Sequence, residues 1–248
     1  MVVYELTELM NNMLAGDGKS LAQLISLAEN DPISPEIMKL LRLHEGKACY
    51  IGITGPTGAG KSTLVDRLTT RIRNRGLSVG IICVDPSSPI SGGAVLGDRV
   101  RMKRHYLDDG VFIRSMATRG CHGGLANAVG VAAKLLAAFG KDIVIIETVG
   151  VGQTELGIAQ IADVLVLVLV PESGDAIQAL KAGIVELADI IVINKADREG
   201  AEALVDEFRA AQMYGQHQNK PAVIATQAIN DIGIEKLFQE IYSRCSSC

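Results

Sequence analysis

The residues best suited to chemistry form the glycine-rich run GPTGAGKS, from Gly55 to Ser62. The run matches G-x-x-x-x-G-K-[ST], in which backbone N–H groups and the positive end of the following helix bind nucleotide phosphates. Lys61 is predicted to reach the β and γ phosphates, and Ser62 to hold Mg²⁺. An apolar stretch directly before the run favours this interpretation over a chance glycine-rich turn. Further phosphate contacts are expected from the same turn: Gly58, Ala59, Gly60 and Thr63.

A second motif predicts which base the nucleotide carries. The apolar run Ile190 to Ile193 is followed by Asn-Lys-Ala-Asp, which matches N-K-x-D. The carboxylate of Asp197 can accept from the ring N–H and the exocyclic amino group of guanine, a pair of donors that adenine does not present. Asn194 and the stem of Lys195 are expected to support the loop and the base. The motif favours GTP over ATP; the alternative is a solvated turn.

A third loop is expected to close on the guanine base. Thr226, Gln227 and Ala228 follow an apolar run and resemble the S-A-x loop of GTPases, with Gln227 in place of the usual Ser. This exchange keeps backbone contacts from Gln227 and Ala228 available, whereas the side-chain contact of the usual Ser is lost.

Acidic residues after two other apolar runs are candidates for the Mg²⁺ shell. Glu147 and Gly150 occupy the place of a D-x-x-G segment, in which the acid orients the metal through water and the glycine N–H senses the γ phosphate. Asp85 and Asp98 flank a Gly- and Ser-rich segment suited to binding Mg²⁺ or placing a water. The alternatives are a glutamate at a solvated strand end and an ordinary Pro/Ser turn.

These loops require a parallel sheet to position them. Most of the apolar runs are continuous rather than alternating, which is typical of buried parallel strands. They predict an α/β fold with a doubly wound, mostly parallel sheet, whose ligands bind at the carboxyl ends of the strands. The predicted strands are Tyr50 to Ile53, Val79 to Val84, Val111 to Ile113, Ile143 to Ile146, Val164 to Val170, Ile190 to Ile193 and Val223 to Ala225.

The chain divides into a helical extension, residues 1–48, and a P-loop domain, residues 49–248. Leu6, Leu9, Met10 and Met13 recur at helical spacing, and a second helix is expected to begin with Ser20 as its cap. The extension is expected to pack on the main domain. No internal repeat is present in the sequence.

Composition excludes several classes of protein. The chain has 248 residues, of which 48% are hydrophobic, and a formal net charge of -4 without clustered basic runs, which argues against nucleic-acid binding. It contains no apolar run of about 18 residues and no basic signal region, so we expect a cytoplasmic protein without a membrane partner. Reduced thiols are expected for the five cysteines: Cys49, Cys83, Cys121, Cys245 and Cys248.

Five segments together resemble the MeaB/ArgK-type GTPases, of the same broad class as the signal-recognition-particle, MinD-like and nickel-insertion GTPases. They are the P-loop, VDPSSPISGGAVLGDRVRM, ATRGCHGGLA, IIETVGVGQTE and PESGDAIQALKAGIVELADIIVINKAD. The similarity covers about residues 5 to 240. Older names call such proteins arginine/ornithine (LAO/AO) transport-system kinases.

The resemblance implies a chaperone of an adenosylcobalamin-dependent acyl-CoA mutase, chiefly methylmalonyl-CoA mutase, that uses GTP binding and slow hydrolysis to gate cofactor loading and protect the mutase. A cobalamin adenosyltransferase is a further implied partner. Matching positions assign Lys61 and Ser62 to the phosphates and Mg²⁺, and Asp85, Asp98 and Glu147 to the metal shell. The resemblance also implies roles for Arg119 on the nucleotide side, and for Asp175 and Lys181 in a switch coupled to the mutase.

Several functional questions stay open at this point. Gln153 is a candidate for positioning the attacking water, and the sequence names no catalytic base. Relatives commonly continue into a C-terminal arm used for dimerisation that is absent here, so a homodimer is possible without being required. Cys121, His122, Cys245 and Cys248 could recruit zinc or nickel only if the fold brought them together.

Two alternative functions remain, and the client mutase is not identified by the sequence. A nickel-type metal-insertion GTPase would be expected to carry a His-rich tract, and this chain has only four His. A small-molecule kinase of the arginine/ornithine type would usually take ATP, contrary to the interpretation of Asp197.

Overall fold

The computed structural model describes residues 2–30, 38–39, 41–42, 44, 47–85, 102–117, 124–148, 150, 153–171, 183–214 and 220–245. The strands are β1 (Cys49–Thr54), β2 (Val79–Asp85), β3 (Val111–Ala117), β4 (Ile143–Glu147), β5 (Val164–Leu169), β6 (Ile190–Ile193) and β7 (Ala222–Ala225). The helices are α1 (Val2–Leu14), α2 (Gly18–Asn30), α3 (Lys61–Asn74), α4 (Gly124–Ala138), α5 (Gln153–Ala159), α6 (Ile184–Leu187), α7 (Ala201–Tyr214) and α8 (Ile234–Cys245). Two 3-10 turns cover Lys103–His105 and Ala228–Asn230.

The seven strands form one sheet in the order β3-β2-β4-β1-β5-β6-β7, and every pairing is parallel. Every residue of β2, β4, β5 and β6 is buried, because helices cover both faces of a parallel sheet. Central β1 lies between β4 and β5, so the loop after β1 opens at the middle of the carboxyl edge. The predicted doubly wound α/β fold is confirmed.

Helices α3 and α8 cover one face of the sheet. Leu64 and Leu68 of α3 and Phe238 of α8 share a buried cluster with β1, β2 and β4. The opposite face packs against α1, α2 and α4, and α7 covers β5 and β6. The helix that follows the P-loop is therefore packed along its length against the sheet, which holds its first turn in place.

The third strand is four residues longer than predicted. It continues from Ile113 to Ala117 because its pairing with β2 continues as far as Asp85 opposite Ala117. Arg114 interrupts the apolar run, and its guanidinium contacts Glu29 of α2 at 2.9 Å. A long-range ion pair thus stabilises a charged residue inside the strand. The local sequence pattern alone predicts a strand that is too short.

The N-terminal helices share their core with the sheet. Met10 and Met13 of α1 and Leu21 of α2 are buried in the same cluster as Ile82 and Val84 of β2. Glu29 adds a polar link, since its Oε1 accepts from the backbone N–H of Ala117 at 3.0 Å. The extension therefore contacts the carboxyl end of β3, the edge at which the nucleotide is expected.

The cap of α2 differs from the prediction. Asp17, rather than Ser20, caps the helix: its carboxylate accepts from the backbone N–H groups of Lys19 at 3.2 Å and Ser20 at 2.9 Å. These bonds begin the helix at Gly18. The Ser20 hydroxyl, whose own hydrogen bond to the carboxylate is the largest influence, also lowers the pKa of Asp17.

The expectation of reduced thiols is wrong for one pair of cysteines. Cys49, the first residue of β1, and Cys245, the last residue of α8, form a disulfide with their Cα atoms 5.6 Å apart. The packing of α8 on the core brings together two residues separated by 196 positions. Cys83 is a buried free thiol, and Cys121 and Cys248 lie outside the described residues.

In the ranges that the structure describes, no helix combines the length and the apolar character needed to cross a membrane.

Candidate functional site

The predicted phosphate-binding turn lies at the carboxyl end of β1 and opens α3. The ammonium group of Lys61 is buried and donates to the carbonyl oxygens of Gly55 at 2.7 Å and Pro56 at 2.9 Å. The side chain thus folds back over its own turn and keeps its charge at the start of α3. A buried ammonium beside a helix N-terminus is suited to a polyphosphate anion.

Two glycines allow the turn to adopt its shape. Gly58 and Gly60 both have positive φ, 82° and 91°, a backbone conformation that side chains disfavour. A Cβ atom added to Gly60 would overlap the side-chain amide nitrogen of Asn194. Gly60 is therefore required both by its own backbone and by the close approach of Asn194.

Ser62 and Glu147 form the candidate metal site. Glu147 ends β4 beside β1, and its Oε1 accepts from the Oγ of Ser62 at 2.7 Å. Both residues are buried at the carboxyl edge of the sheet. A hydroxyl oxygen beside a carboxylate is a pair of hard donors that fits Mg²⁺, which prefers oxygen ligands. The longer Glu side chain therefore reaches the P-loop serine directly.

Asp85 and Gly150 lie at the same edge. Asp85 is the buried last residue of β2, and Cys83, two residues before it, pairs with Glu147 of the neighbouring strand. A Cβ atom added to Gly150 would lie 3.5 Å from Oγ1 of Thr57, which places Gly150 against the P-loop. The structure therefore places Gly150 against the P-loop and Asp85 at the end of the second strand from β1, at the same carboxyl edge of the sheet.

Asn194 joins the three predicted nucleotide loops. Its Nδ2 donates to the carbonyl oxygen of Ala59 in the P-loop at 2.8 Å. Its Oδ1 accepts from Oγ1 of Thr226 at 3.0 Å and from the backbone N–H of Ala228 at 3.1 Å. Since Asn194 is buried, these bonds fix the position of the P-loop relative to the two loops that are predicted to bind the guanine base.

The N-K-A-D loop presents its acid to solvent. Lys195 has φ 56°, in the left-handed region, and Asp197 is exposed just after it. The backbone N–H of Ala196 donates to the carbonyl oxygen of Thr226 at 3.0 Å, so this loop is tied to the loop that carries Gln227. The carboxylate of Asp197 is therefore accessible to the base of a bound nucleotide.

Sequence reasoning missed the hydrogen bonds by which three threonines connect the strand ends, although it placed Thr226 in the third loop. Oγ1 of Thr148 donates to Oγ1 of Thr54 at 3.1 Å, and Thr226 donates to Asn194; all three threonines are buried. Their sequence signal is weak: each is a threonine at or just after the end of a strand. The contacts of Arg67 in α3 with the carbonyl oxygens of Ala228 and Ile229 were also missed.

Part of the predicted site lies outside the described residues. This applies to Asp98, Arg119, Cys121, His122, Asp175, Lys181 and Cys248. Gln153 opens α5, but its side chain is also outside the described part. Among the residues that are described, no group of three or more His, Cys, Asp or Glu could hold a metal ion. Cys245 is committed to its disulfide, so it is not a metal-binding thiol in this state.

Sequence comparison identifies the family. Residues 21–246 match the model of the methylmalonyl Co-A mutase-associated GTPase MeaB. A Pyrococcus abyssi protein named as a candidate GTPase is 50% identical over 240 residues, covering 94% of this chain and 74% of that protein. A fused isobutyryl-CoA mutase of Cupriavidus metallidurans is 37% identical over 243 residues, covering 93% of this chain and 22% of that protein.

Solved structures agree with this assignment. The crystal structure of an LAO/AO transport system kinase superposes with a TM-score of 0.74 and 26% identity, covering 97% of this chain and 75% of that chain. For the fold alone, the signal recognition particle receptor FtsY of Elizabethkingia anophelis superposes with a TM-score of 0.52 and 15% identity, covering 95% and 83% of the two chains. The chain, with its P-loop at the centre of a seven-stranded parallel sheet, belongs to the MeaB family of mutase-associated GTPases.

Proposed function

We propose that this GTPase acts as a switch that serves an adenosylcobalamin-dependent acyl-CoA mutase, gating cofactor loading and protecting the mutase. The observation that carries the proposal is the relative named as a fused isobutyryl-CoA mutase. A segment of that protein is 37% identical to 93% of this chain. A GTPase segment within the same polypeptide as a mutase supports an association of the two activities.

Within the proposal, the phosphates bind at the P-loop. The backbone N–H groups of residues 58–63 and the ammonium of Lys61 bind the β and γ phosphates at the start of α3. Ser62 would hold Mg²⁺ directly and Glu147 through water, and such an ion would supply positive charge to balance the charge on the phosphates. In this structure the ammonium of Lys61 donates to the carbonyl oxygens of Gly55 and Pro56. Because an ammonium has three N–H donors, it can turn towards the phosphates by exchanging part of these bonds for contacts with the anion.

The anchored loops select GTP by binding its guanine base. Asp197 accepts from the two neighbouring N–H donors of guanine, while Asn194 holds the loop and the stem of Lys195 lies along the base. Gln227 and Ala228 contribute backbone groups. The support for these roles is that Asn194 bonds to Ala59 and Ala228 at once, so one buried amide side chain connects the phosphate and base sites.

Hydrolysis is expected to be slow in the isolated chain. Positioning and charge stabilisation supply nearly all the acceleration of phosphoryl transfer, and the sequence names no catalytic base. Gln153 is the proposed water-positioning residue. Loss of the γ phosphate is sensed at the strand ends Asp85 and Glu147 and at Gly150, and is transmitted to the segments that follow them, including Asp98.

Nucleotide-dependent complex formation tests this function. The purified chain is mixed with adenosylcobalamin-dependent methylmalonyl-CoA or isobutyryl-CoA mutase, and binding is measured with a non-hydrolysable GTP analogue, with GDP and without nucleotide. We expect binding to one mutase whose affinity differs between the GTP analogue and GDP. A Lys61→Ala variant is expected to bind without responding to nucleotide. Absence of binding to both mutases in every nucleotide state would refute the proposal.

The same samples test the finer partner assignments. Adding a cobalamin adenosyltransferase shows whether it joins the complex, and the mass of the free chain in solution distinguishes monomer from homodimer.

A further inference from the structure

Three arginines on one face of α3 contact the segment that follows β7. Arg67, Arg71 and Arg75 are spaced by four residues, so they lie one above another along the helix. We call them the arginine row. Arg67 is nearest to the P-loop, six residues after Lys61, and Arg75 lies just beyond the last turn of the helix.

The members of the arginine row contact different chemical groups. Nε of Arg67 donates to the carbonyl oxygen of Ala228 at 3.1 Å, and its Nη2 donates to that of Ile229 at 2.8 Å. Arg71 instead forms ion pairs with Asp231 at 2.6 Å and Glu235 at 3.2 Å. Only the first of these two arginines therefore bonds to the backbone of the loop expected to contact the base.

Arg75 contacts α8, the helix that follows the loop after β7. Its guanidinium lies 3.6 Å from Glu235 and 5.0 Å from the ring centre of Phe238 in α8. The contacts made by the row thus change along α3, from loop backbone near the phosphates to helix side chains farther away.

The backbone around Ala228 is bonded from two directions. Its N–H donates to Oδ1 of Asn194, and its carbonyl oxygen accepts from Arg67. Asn194 also bonds to Ala59 of the P-loop, and Arg67 belongs to the helix that the P-loop opens. A closed set of bonds therefore runs from the P-loop through Asn194, Ala228 and Arg67 back to the phosphate-binding helix.

We propose that Arg67 is a positioning residue for guanine selectivity, because it holds the Ala228 backbone at a fixed distance from the phosphate-binding helix. Guanine carries an acceptor, O6, where adenine carries an amino donor. The N–H of Ala228, which donates to Oδ1 of Asn194 at 3.1 Å, would distinguish the two bases by sharing its hydrogen with O6. This inference rests on the proposed role of Gln227 and Ala228 in base binding. The guanidinium offers Nε and Nη2 as two donors in a rigid planar fork, and these bind the two successive carbonyl oxygens of Ala228 and Ile229.

Nucleotide affinities of four variants in the full chain test the proposal. Arg67→Ala is expected to reduce the ratio of GTP to ATP affinity about tenfold, a loss equivalent to ~1.4 kcal/mol. Affinity for ATP and kcat at saturating GTP are expected to stay unchanged, while KM for GTP rises. Arg67→Lys, with one ammonium, is expected to recover part of the ratio. Arg71→Ala is the matched control, since it removes ion pairs on the same helix face but leaves both carbonyl contacts.

Two outcomes overturn the inference. If Arg67→Ala, or Arg67→Lys where the alanine variant does not fold, keeps the wild-type ratio of GTP to ATP affinity, then Arg67 supports only stability. Equal losses of that ratio in Arg67→Ala and Arg71→Ala would also assign the effect to general packing. Asp197→Asn separates the two levels of the argument. If it shifts preference from guanine to xanthine nucleotides while Arg67→Ala keeps selectivity, the base site stands and only this inference fails; if Asp197→Asn changes nothing, both fail.

Discussion

Ser62 and Glu147, 85 residues apart in sequence, share a buried hydrogen bond of 2.7 Å. The bond crosses from the first turn of the P-loop helix to the carboxyl end of β4, the strand beside β1. It exists because β1 and β4 pair in parallel, so their carboxyl ends lie at the same edge. The candidate metal site is therefore a product of sheet topology, and its parts can be tested separately.

Replacing Glu147 tests the metal role. Glu147→Gln keeps the side-chain size and can still accept from Ser62, but it removes the negative charge. Since a group that acts on a metal through its water shell typically contributes 10- to 100-fold, we expect GTP hydrolysis to fall by about that factor. The fall should be accompanied by weaker Mg²⁺ dependence of GTP binding, measured by titration. If Glu147→Gln hydrolyses GTP at the wild-type rate, the proposed role of Glu147 in metal binding is wrong.

Gly60 tests the geometry of the phosphate turn. Gly60→Ala is expected to abolish GTP binding, because the added Cβ would displace Asn194, which holds the base loops. Gly76→Ala is the matched control: Gly76 also has positive φ, but a Cβ there meets nothing within 4 Å. The control is expected to lose about 1 kcal/mol of unfolding free energy and to bind GTP normally. Equal binding by both variants, measured by calorimetry, would contradict the predicted displacement of Asn194.

The Cys49–Cys245 disulfide predicts redox-dependent stability. It joins the start of β1 to the end of α8 across 196 positions. Reduction therefore raises the conformational entropy of the unfolded chain, because a long closed loop is opened. We expect reductant to lower the melting temperature, with a loss of about 2–4 kcal/mol in unfolding free energy. The Cys49→Ala/Cys245→Ala double variant should melt at one temperature with or without reductant. If wild type is also insensitive to reductant, the disulfide does not contribute to stability.

An ion pair at the end of α3 predicts a pH dependence. The side-chain hydrogen bond from Arg73, 2.8 Å from Asp108, lowers the pKa of that carboxyl. A lowered folded-state pKa stabilises the protein above the unfolded value of about 3.9 and loses this effect as pH falls through the folded value. Asp108→Asn is expected to cost about 0.5 kcal/mol at pH 7, as for a partly exposed pair, and nothing at pH values below both pKa values. A difference in unfolding free energy that did not change with pH would contradict the ion pair.

The arrangement of strands follows from local sequence, because continuous apolar runs are recognisable without knowing their partners. The run Ile190 to Ile193 predicts β6 to the residue, and the loop residues after it, Asn194 and Asp197, follow directly. Strand β3 shows where this reasoning stops. A charged residue such as Arg114 suggests that the strand ends before it. In the structure Arg114 lies inside the strand, because it pairs with Glu29 of a helix 85 residues earlier.

The parts of the site that were missed depend on contacts between distant residues. Arg67 is an ordinary helix residue in sequence, and its role depends on carbonyl oxygens more than 160 positions away. The Cys49–Cys245 pair likewise follows from the packing of α8 rather than from spacing. By contrast, Asp17 as the cap of α2 is a local error, since Asp and Ser are both good caps and lie three residues apart.

The most direct test is the rate of GTP hydrolysis measured with increasing concentrations of an adenosylcobalamin-dependent acyl-CoA mutase. The chain alone is expected to hydrolyse GTP slowly, because the sequence names no catalytic base and phosphoryl transfer depends on exact positioning. Mutase should raise the rate to a plateau at saturation, and Lys61→Ala should show no hydrolysis at any mutase concentration. A rate that stays constant with both methylmalonyl-CoA and isobutyryl-CoA mutase, without detectable complex, would contradict the proposed switch.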